Sequence, residues 1–141
     1  MTHPAEATGH PRILVVDDDR AICEIYEEVL AREGYAVVTA GSCAEALQRM
    51  DSIGGDAQVL IVDLGLPDGD GADFVRASAE KYGSRPTLYV SGWTDEFWQL
   101  GDAPGRWLIM RKPVAIKKLI AAVRWLAHGG DKPAELDEPD R

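Results

Sequence analysis

The sequence is short of several features that would each indicate a specialised class of protein. Its 141 residues include two cysteines, three histidines, and 15 lysines and arginines against 24 aspartates and glutamates. Cys23 and Cys43 fall inside predicted helices and are too few for a disulfide framework, so we expect reduced thiols. The net charge of −9 and the lack of a basic stripe argue against direct nucleic-acid binding, because that binding depends on neutralising phosphates.

Long apolar runs are also missing. No stretch approaches the roughly 20 residues that cross a bilayer, and the polar residues 1–12 lack the apolar centre of a secretory signal. The histidines lie near the two ends of the chain, which favours neither a zinc site nor a phosphohistidine. We therefore expect a cytoplasmic protein without a membrane interaction, whose partner is a basic protein surface or a metal ion.

What is present is the composition of a globular domain. The chain is 45% hydrophobic and 28% charged, and 141 residues suit one domain with a real core. The polar start and the acidic, proline-containing end predict a flexible segment at 1–11, one domain at 12–128 and a disordered acidic tail at 129–141. Met1 and the polar ends are typical of a stand-alone chain.

Short apolar runs alternate with helical patterns, as in βαβ units around a parallel sheet. Most of the runs are continuously apolar, as expected for strands that are covered on both faces. The five predicted strands are 13–16, 36–40, 59–62, 87–90 and 107–110. The fold class predicted by this alternation is α/β with a parallel sheet.

The first and last helices have clear apolar faces. The first is predicted at 20–33, where apolar residues recur at helical spacing and Gly34 follows as a stop. Its predicted inward face consists of Ile22, Ile25, Tyr26, Val29 and Leu30. The last begins near Ala115, with Ile116, Leu119, Ile120 and Val123 on one stripe.

The helices between them begin at capping residues. Ser42 can cap the second helix while Glu45 returns to the Ser42 amide, which is a capping box. Asp70 is the expected N-cap of the third. Glycine and proline at 101–105 leave only about 95–100 for a fourth helix, which is therefore predicted to be short or irregular.

Polar residues follow four of the predicted strands at the point where each ends. They are 17–19, Asp63, Ser91, and then Arg111, Lys112 and Pro113. Because ligands bind beyond the carboxyl ends of the strands in open parallel sheets, we expect these side chains at one edge. Each has a simpler interpretation alone: 17–19 as a solvated turn with Asp19 capping a helix, Asp63 as a loop carboxylate, Lys112 as a surface lysine, and Ser91 as a turn residue.

Three carboxylates at one edge repel one another and need compensating charge. Mg²⁺, which binds carboxylates, water and phosphate oxygens, and the ammonium group of Lys112 would supply it. Such a site can accept a phosphoryl group: Asp63 attacks as nucleophile, while the metal and Lys112 balance charge on the phosphoryl oxygens. Ser91 then hydrogen-bonds the attached group.

Four short motifs follow one another along the chain: ILVVDDD at 13–19, VLIVDLGLP at 59–67 with DG at 70–71, VSG at 90–92, and KP at 112–113. In this order and at these spacings they resemble the receiver domain of two-component response regulators, over roughly 12–127. The resemblance implies a doubly wound, flavodoxin-like sheet of order 2-1-3-4-5. It also implies phosphorylation by a histidine kinase or a histidine phosphotransfer protein, and signalling to a downstream protein target.

The resemblance assigns a role to each site residue. Asp63 is the phosphorylated aspartate; Asp17 and Asp18 organise Mg²⁺ together with Asp63 and the backbone carbonyl of Gly65; Ser91 is the switch hydroxyl; Lys112 is the site lysine; and Pro113 follows it through a cis peptide bond. The same family commonly dimerises through its fourth helix, which is shortened here, so we expect a monomer or a weak dimer.

The sequence also departs from the family pattern. Ile109 stands where members commonly have an aromatic residue that moves inward on activation, and Val114 stands where phenylalanine is frequent. Trp93 follows Ser91 and Gly92, and we predict that its bulk shields the acyl phosphate from water and slows its hydrolysis.

Three functions remain open. The first is a phosphorylation-dependent receiver that is not an enzyme in the usual sense. The second is a Mg²⁺-dependent phosphohydrolase of the haloacid dehalogenase type, because Asp17 and Asp19 imitate its acid pair, although only a helix and a tail follow Lys112 where that enzyme needs further acidic ligands. The third is an interaction module that keeps the fold but signals without phosphate.

Overall fold

The computed structural model of the chain describes residues 10–92 and 100–137. Within them one sheet contains five strands: β1 Arg12–Val16, β2 Ala36–Ala40, β3 Val59–Asp63, β4 Thr87–Ser91 and β5 Trp107–Arg111. The same described part contains four α-helices: α1 Arg20–Arg32, α2 Cys43–Ser52, α3 Gly71–Tyr82 and α4 Ile116–His128. A small antiparallel ladder of Gly65–Leu66 with Gly69–Asp70 lies between β3 and α3.

The strand order is 2-1-3-4-5, and neighbouring strands are parallel. Val16 of β1 is in register with Ala40 of β2 and with Val62 of β3, and Asp63 is in register with Val90 of β4. The carboxyl ends of the strands therefore meet at one edge. The predicted α/β class, strand count and strand order are confirmed, and each predicted strand is within one residue of its observed bounds.

Apolar layers cover both faces of the sheet. Residues of β1 alternate between them: Ile13 and Val15 pack in one layer, and Leu14 and Val16 in the other. Helices α1 and α4 complete the first layer, and α2 and α3 complete the second. The central strands β1 and β3 are buried along their whole length, which explains their continuously apolar sequences.

Helix α1 buries most of the predicted face, since Tyr26 and Leu30 are buried and Ile22 packs against the core, but one residue of that face is exposed. Ile25 is 49% exposed, so its assignment to the inward face is wrong. The buried residues are Cys23, Tyr26 and Leu30, and the Cys23 thiol donates to the carbonyl oxygen of Asp17 at 3.3 Å. Because Cys23 faces the end of β1, Ile25 points about 200° away around the helix, given 100° per residue.

The caps of α2 and α3 differ in part from the predicted ones. Ser42 Oγ accepts the Glu45 amide at 3.1 Å, as predicted, but Glu45 Oε1 accepts the Gly41 amide at 2.6 Å instead of the Ser42 amide. Ser42 is fully extended, with φ −155° and ψ 167°, so the glutamate meets the residue before it. Asp70 occupies the N-cap position of α3, yet within the described residues its side chain makes no capping hydrogen bond.

Arg85 joins two loops at the amino edge of the sheet. Its guanidinium donates to the carbonyl oxygens of Ala57 at 3.0 Å, Gly55 at 3.1 Å and Tyr82 at 3.0 Å. These contacts join the loop before β3 to the end of α3 and the start of β4. A single cation therefore satisfies carbonyl groups of two loops that are distant in sequence.

The C-terminal segment that was predicted to be disordered contains a folded stretch. Residues Ala134–Asp137 form a 3-10 helix, and Leu136 packs against the apolar layer that contains α4. Trp125 Nε1 also donates to the carbonyl oxygen of Gly130 at 3.1 Å. The prediction is wrong for this stretch because the large apolar side chain of Leu136 packs against the core. An acidic overall composition does not indicate such a contact.

Two other helix predictions had mixed outcomes. In α4, Leu119 and Val123 are buried as predicted, whereas Ile116, in the first turn, is 38% exposed. The short helix predicted at 95–100 lies outside the described residues, except for Leu100. Across the described ranges, none of the helices is both long and apolar enough to cross a membrane.

Candidate functional site

The carboxyl edge of the sheet brings the predicted polar residues together. Asp17 and Asp18 directly follow β1, Asp63 ends β3, and Lys112 directly follows β5. One carboxylate oxygen of each aspartate lies within 4.8 Å of the others. Asp17 and Asp63 are only 4% and 6% exposed, whereas Asp18 is open to solvent. The result is a cluster with two buried acids and one accessible acid.

Lys112 bridges the two buried acids. Its Nζ lies 2.8 Å from Asp17 Oδ2 and 2.9 Å from Asp63 Oδ2. The lysine side chain is 22% exposed, so most of it is removed from water. Charged groups at such depth are tolerated only when they are paired and hydrogen-bonded. The simpler interpretation of Lys112 as a surface lysine is therefore wrong.

A backbone amide fixes the second oxygen of each buried carboxylate. Asp17 Oδ1 accepts the Asp19 amide at 2.9 Å, and Asp63 Oδ1 accepts the Gly65 amide at 2.9 Å. Both carboxylates are thus held at two points, one on the lysine and one on the following turn. Their orientation is set before any ligand arrives.

Asp19 belongs to the helix rather than to the cluster. Its Oδ1 accepts the amides of Ala21 at 3.0 Å and Ile22 at 3.3 Å, which makes it the N-cap of α1. The simpler interpretation is confirmed for this residue alone. Because Asp19 is used in this way, the acid pair of Asp17 and Asp19 that imitates a haloacid dehalogenase is not formed.

Gly71 allows the start of α3 to pack directly against the backbone of Asp63. A Cβ atom at this position would lie 2.2 Å from the Asp63 carbonyl oxygen and 2.7 Å from Val62 Cγ1. Real Cβ atoms do not approach backbone oxygen so closely, so only glycine fits without moving β3. The Gly71 amide also donates to the Leu64 carbonyl at 3.2 Å. The start of α3 is thereby packed against Asp63 and hydrogen-bonded to the residue that follows it.

The charges of the cluster influence one another. Burial raises the pKa of Asp17 above its usual range, although the hydrogen bond from Lys112 opposes this effect. Burial alone would lower the pKa of Lys112. Hydrogen bonds to Asp17 and Asp63, together with the negative charges of both carboxylates, outweigh this effect. The net result is a raised pKa for Lys112. Lys112 is therefore a protonated ammonium at neutral pH, and it is shared by two carboxylates.

The donor set fits a hard divalent cation. The three side chains supply only carboxylate oxygens, which suit ions such as Mg²⁺ and Ca²⁺ rather than softer metals that prefer thiolate or imidazole. Three carboxylates face one ammonium, so the cluster carries excess negative charge. Asp18 provides the side that is open to an arriving ion. The arrangement can thus hold a metal ion beside Asp63.

The predicted switch residue Ser91 lies at the end of β4. It is fully buried, and its carbonyl oxygen accepts the Lys112 amide at 2.8 Å. Gly92 follows it at the surface. The backbone of Ser91 is therefore hydrogen-bonded directly to that of Lys112.

The remaining predicted residues lie around β5. Ile109 is half-buried and in register with Tyr89 of β4. The peptide bond before Pro113 is cis, as predicted. Trp93, whose predicted role is to shield the site, lies outside the described residues. The metal-ligand role of the Gly65 carbonyl stays a prediction, since the structure shows only the Gly65 amide bonded to Asp63.

Asp68 was not among the predicted site residues. It lies in the loop between Asp63 and α3, and its carboxylate accepts the amides of Cys43 at 2.8 Å and Ala44 at 3.0 Å. The partner residues are 25 and 24 positions earlier in the chain, so no local spacing indicates the contact. The only signal in the sequence is that an acidic residue follows Pro67 in the loop after Asp63.

A parallel sheet of order 2-1-3-4-5 with an acidic site between the ends of β1 and β3 defines a doubly wound α/β domain whose site lies at the topological switch point. The family model described as "Response regulator receiver domain" matches residues 13–124. The chain belongs to the response regulator receiver domain family.

The curated relatives that the chain matches are longer than the chain itself. It is 34% identical over 135 residues to "Transcriptional regulatory protein TrcR" of Mycobacterium tuberculosis, covering 94% of the chain and 51% of that protein. It is 34% identical over 131 residues to "DNA-binding response regulator MtrA" of Mycobacterium bovis, covering 92% and 56%. It is 28% identical to "Sensor kinase CckA" of Brucella abortus, covering 89% and 13%. The chain thus spans about half the length of the two regulators.

Solved structures share the fold over most of their length. A response regulator receiver protein from Sinorhizobium medicae WSM419 is 26% identical with a TM-score of 0.74, covering 85% of this chain and 96% of that one. Chemotaxis protein CheY4 of Vibrio cholerae is 24% identical with a TM-score of 0.74, covering 83% and 98%. The second likeness concerns the fold alone.

Proposed function

We propose that this chain is a phosphoacceptor that takes a phosphoryl group from a histidine kinase or a histidine phosphotransfer protein onto Asp63. It then signals to a protein partner by changing shape. The observation that carries this proposal is the pairing of Asp63 Oδ2 with Lys112 Nζ at 2.9 Å inside a cluster of three carboxylates. Membership of the receiver family supports it.

In the proposed transfer, a carboxylate oxygen of Asp63 attacks the phosphorus of a phosphohistidine. The new P–O bond forms while the P–N bond breaks, and the departing imidazole nitrogen takes up a proton from solvent. The product is a mixed anhydride of the Asp63 carboxyl group and phosphate. The Gly65 amide and Lys112 hold the carboxylate in one orientation beforehand, which reduces the entropic cost of the attack.

Lys112 is proposed to balance charge both before and after this step. Before transfer, its ammonium balances the charges of Asp17 and Asp63. Once Asp63 is phosphorylated, the ammonium remains beside it to balance the charge of the phosphoryl oxygens. The raised pKa of Lys112 keeps the proton on the amine before transfer.

Asp17, Asp18 and Asp63 are the proposed ligands of Mg²⁺, together with the Gly65 carbonyl. When bound, Mg²⁺ supplies neutralisation of charge on the phosphoryl oxygens. Asp18 keeps its side of the cluster open, while the buried Asp17 and Asp63 fix the site. An open pocket of about 240 Å³ adjoins Asp17 and Asp18 and is also lined by Arg20 and Arg49, so the approach to the cluster is not purely acidic.

The conformational change is proposed to begin at the end of β4. Ser91 would hydrogen-bond the attached phosphoryl group, and its backbone link to Lys112 connects β4 to the turn at Pro113. Ile109 takes the place of the family's mobile aromatic residue, so the response is carried by Ser91, Gly92 and the following residues without an aromatic partner at 109. Trp93 is proposed to prolong the lifetime of the acyl phosphate.

The acting unit is proposed to be residues 12–128, working in the cytoplasm as a monomer or a weak dimer. The relatives TrcR and MtrA have names that refer to transcription or DNA binding, but this chain spans only about half of each. Its net charge of −9 supports a protein target rather than direct nucleic-acid contact.

Labelling with a phosphodonor tests the proposal. We expect acetyl phosphate or a histidine kinase to add at most about one phosphate per chain in the presence of Mg²⁺, because the carboxylate is consumed until it is hydrolysed. Asp63→Asn should abolish stable labelling, as measured by intact-mass spectrometry. Asp73→Asn, which changes an exposed aspartate of α3, is the matched control and should be labelled like the unchanged protein.

The alternatives give different results in the same assay. Stable phosphate on the Asp63→Asn variant would remove the nucleophile assignment. Many turnovers of a small phosphomonoester would indicate a phosphohydrolase. Complete absence of labelling from every donor would favour an interaction module that acts without phosphate.

A further inference from the structure

The loop between Asp63 and α3 is attached to the rest of the domain at its tip. Its two sides pair in the short ladder of Gly65–Leu66 with Gly69–Asp70, so the loop behaves as a small hairpin whose base adjoins Asp63. Asp68 lies in the turn of this hairpin, beyond the paired residues. A contact at Asp68 therefore restrains the whole hairpin, including Gly65.

The tip is attached to the amino end of α2 by two hydrogen bonds. Asp68 Oδ1 accepts the Cys43 amide at 2.8 Å, and Asp68 Oδ2 accepts the Ala44 amide at 3.0 Å. These amides open the helix and have no carbonyl partner within it. The same bonds hold the pKa of Asp68 below its usual value, first through Ala44 and then through Cys43. The side chain is therefore a carboxylate at neutral pH.

Helix α2 has a separate cap of its own. Ser42 Oγ accepts the Glu45 amide, and Glu45 in turn accepts the Gly41 amide. The two caps thus divide the first amides of the helix between them: Ser42 takes the one at Glu45, and Asp68 takes those at Cys43 and Ala44. Of these two caps, the one from Asp68 comes from a distant part of the chain.

The hairpin connects directly to the proposed metal and phosphate site. The Gly65 amide donates to Asp63 Oδ1 at 2.9 Å, and the Cys43 thiol also meets the Asp70 carbonyl oxygen at 3.6 Å. Restraining the tip at Asp68 therefore fixes the Gly65 peptide, which orients Asp63. Groups that orient metal ligands commonly change metal affinity by about 10–100-fold when they are removed.

We infer that Asp68 is a positioning residue for the metal and phosphoryl site, which it preorganises by fixing the loop of Asp63 to the amino end of α2. It touches neither ligand nor reacting atom. The inference rests on the proposed function, since it concerns the same site.

Direct titration with Mn²⁺, followed by the loss of the free-ion electron paramagnetic resonance signal, tests the inference on the full chain. We expect Asp68→Ala to raise the Mn²⁺ dissociation constant about tenfold or more. Asp68→Asn keeps one acceptor oxygen and should fall between Asp68→Ala and the unchanged protein. Circular dichroism confirms that each variant is folded at the temperature of the titration.

Ser42→Ala is the matched control, because it removes a cap from the same helix without releasing the loop. It should lower the midpoint temperature of unfolding but leave the Mn²⁺ dissociation constant within about twofold, since Gly65 keeps its restraint. An equal shift of the dissociation constant in Ser42→Ala and Asp68→Ala would show that helix stability alone matters, and would overturn the inference. An unchanged dissociation constant in Asp68→Ala would overturn it as well.

The phosphorylation rate separates this inference from the proposed function. With acetyl phosphate and saturating Mg²⁺, Asp68→Ala should recover most of the rate, because excess metal compensates for weaker binding. If the unchanged protein is never labelled, the proposed function fails, whereas the metal titration still decides the role of Asp68. If the rate of Asp68→Ala stays tenfold low at saturating Mg²⁺ and its Mn²⁺ affinity is normal, the positioning of metal is refuted.

Discussion

Lys112 is the residue on which the electrostatics of the resting site depend. It places one ammonium within 2.9 Å of two carboxylates whose side chains are 4% and 7% exposed. Removal of Lys112 by Lys112→Ala leaves both charges buried together, and we expect a loss of about 3 kcal/mol in the free energy of unfolding without metal. Urea denaturation measures this loss, and added Mg²⁺ should restore part of it.

An exposed lysine pair provides the comparison for this prediction. Lys81 also bonds an aspartate, Asp51, at 2.8 Å, but both side chains are more than half exposed. Lys81→Ala should therefore change the stability very little, because exposed ion pairs are weakly stabilising. If the two alanine variants lost the same stability, the burial of the Lys112 pair would have no energetic significance.

The thiol of Cys43 should react slowly with alkylating reagents. Burial, followed by the charge of Asp68, raises the pKa of Cys43 to about 11. A raised pKa lowers the thiolate fraction at every pH below it, and the thiolate is the reactive form. In a Cys23→Ala background, the rate of iodoacetamide labelling should climb with a midpoint near pH 11. A midpoint near the ordinary thiol value of 9.0 would contradict this prediction.

At the scale of the elements, the tightest fit is between α3 and β3. Gly71→Ala would put a Cβ atom 2.2 Å from the Asp63 carbonyl oxygen, so the helix must shift. We expect a loss of stability of about 2 kcal/mol, as for other overpacked sites, and weaker phosphorylation because Asp63 moves. Urea denaturation and acetyl phosphate labelling of the same preparation measure the two effects.

Gly41→Ala is the control for this substitution. A Cβ atom there would lie 3.7 Å from Glu45 Oε1 and 3.9 Å from the Asp17 carbonyl oxygen, which are ordinary contacts. It should leave stability and labelling nearly unchanged, although Gly41 also lies near the site. Equal losses in both variants would mean that close packing at Gly71 is not the cause.

The elements themselves were predictable because each is encoded locally. Buried strands have continuous apolar sequences, and Ser42 lies at the start of α2 as a capping residue should. The orientation of α1 was not predictable in full, since Ile25 fits the helical period as well as Cys23 does. What decides between them is the contact of the Cys23 thiol with the end of β1, which only the folded chain provides.

The site was predictable to a similar extent and for a similar reason. Asp17, Asp63 and Lys112 each follow an apolar strand, and a parallel sheet must bring those ends to one edge. Asp68 and Arg85 follow no such rule. Their partners are backbone groups of distant segments. Because every residue has the same backbone groups, the sequence does not indicate which of them will be bonded.

At the scale of the whole molecule, we expect the excess negative charge of the cluster to make stability depend on metal. We expect Mg²⁺ to raise the free energy of unfolding by about 2.7 kcal/mol when its concentration is a hundred times the dissociation constant. Asp18→Asn should remove most of this gain, because Asp18 is the accessible carboxylate of the cluster. Thermal melts at a series of Mg²⁺ concentrations measure the effect.

General screening of a chain with net charge −9 would also stabilise it, and a second substitution separates the two causes. Asp73→Asn removes the same charge from an exposed position on α3. It should keep the full response to Mg²⁺. A response that falls equally in both variants would indicate screening rather than a site.

Arg85 and Lys112 stand at opposite edges of the sheet, one gathering loop carbonyls and the other gathering carboxylates. Arg85 lies at the edge opposite to the carboxylate cluster, so a change there should act on stability without altering the carboxylates. A fluorescent reporter attached near Gly54 or Ser84 would therefore lie far from Asp63 along the strands and should leave metal binding unchanged.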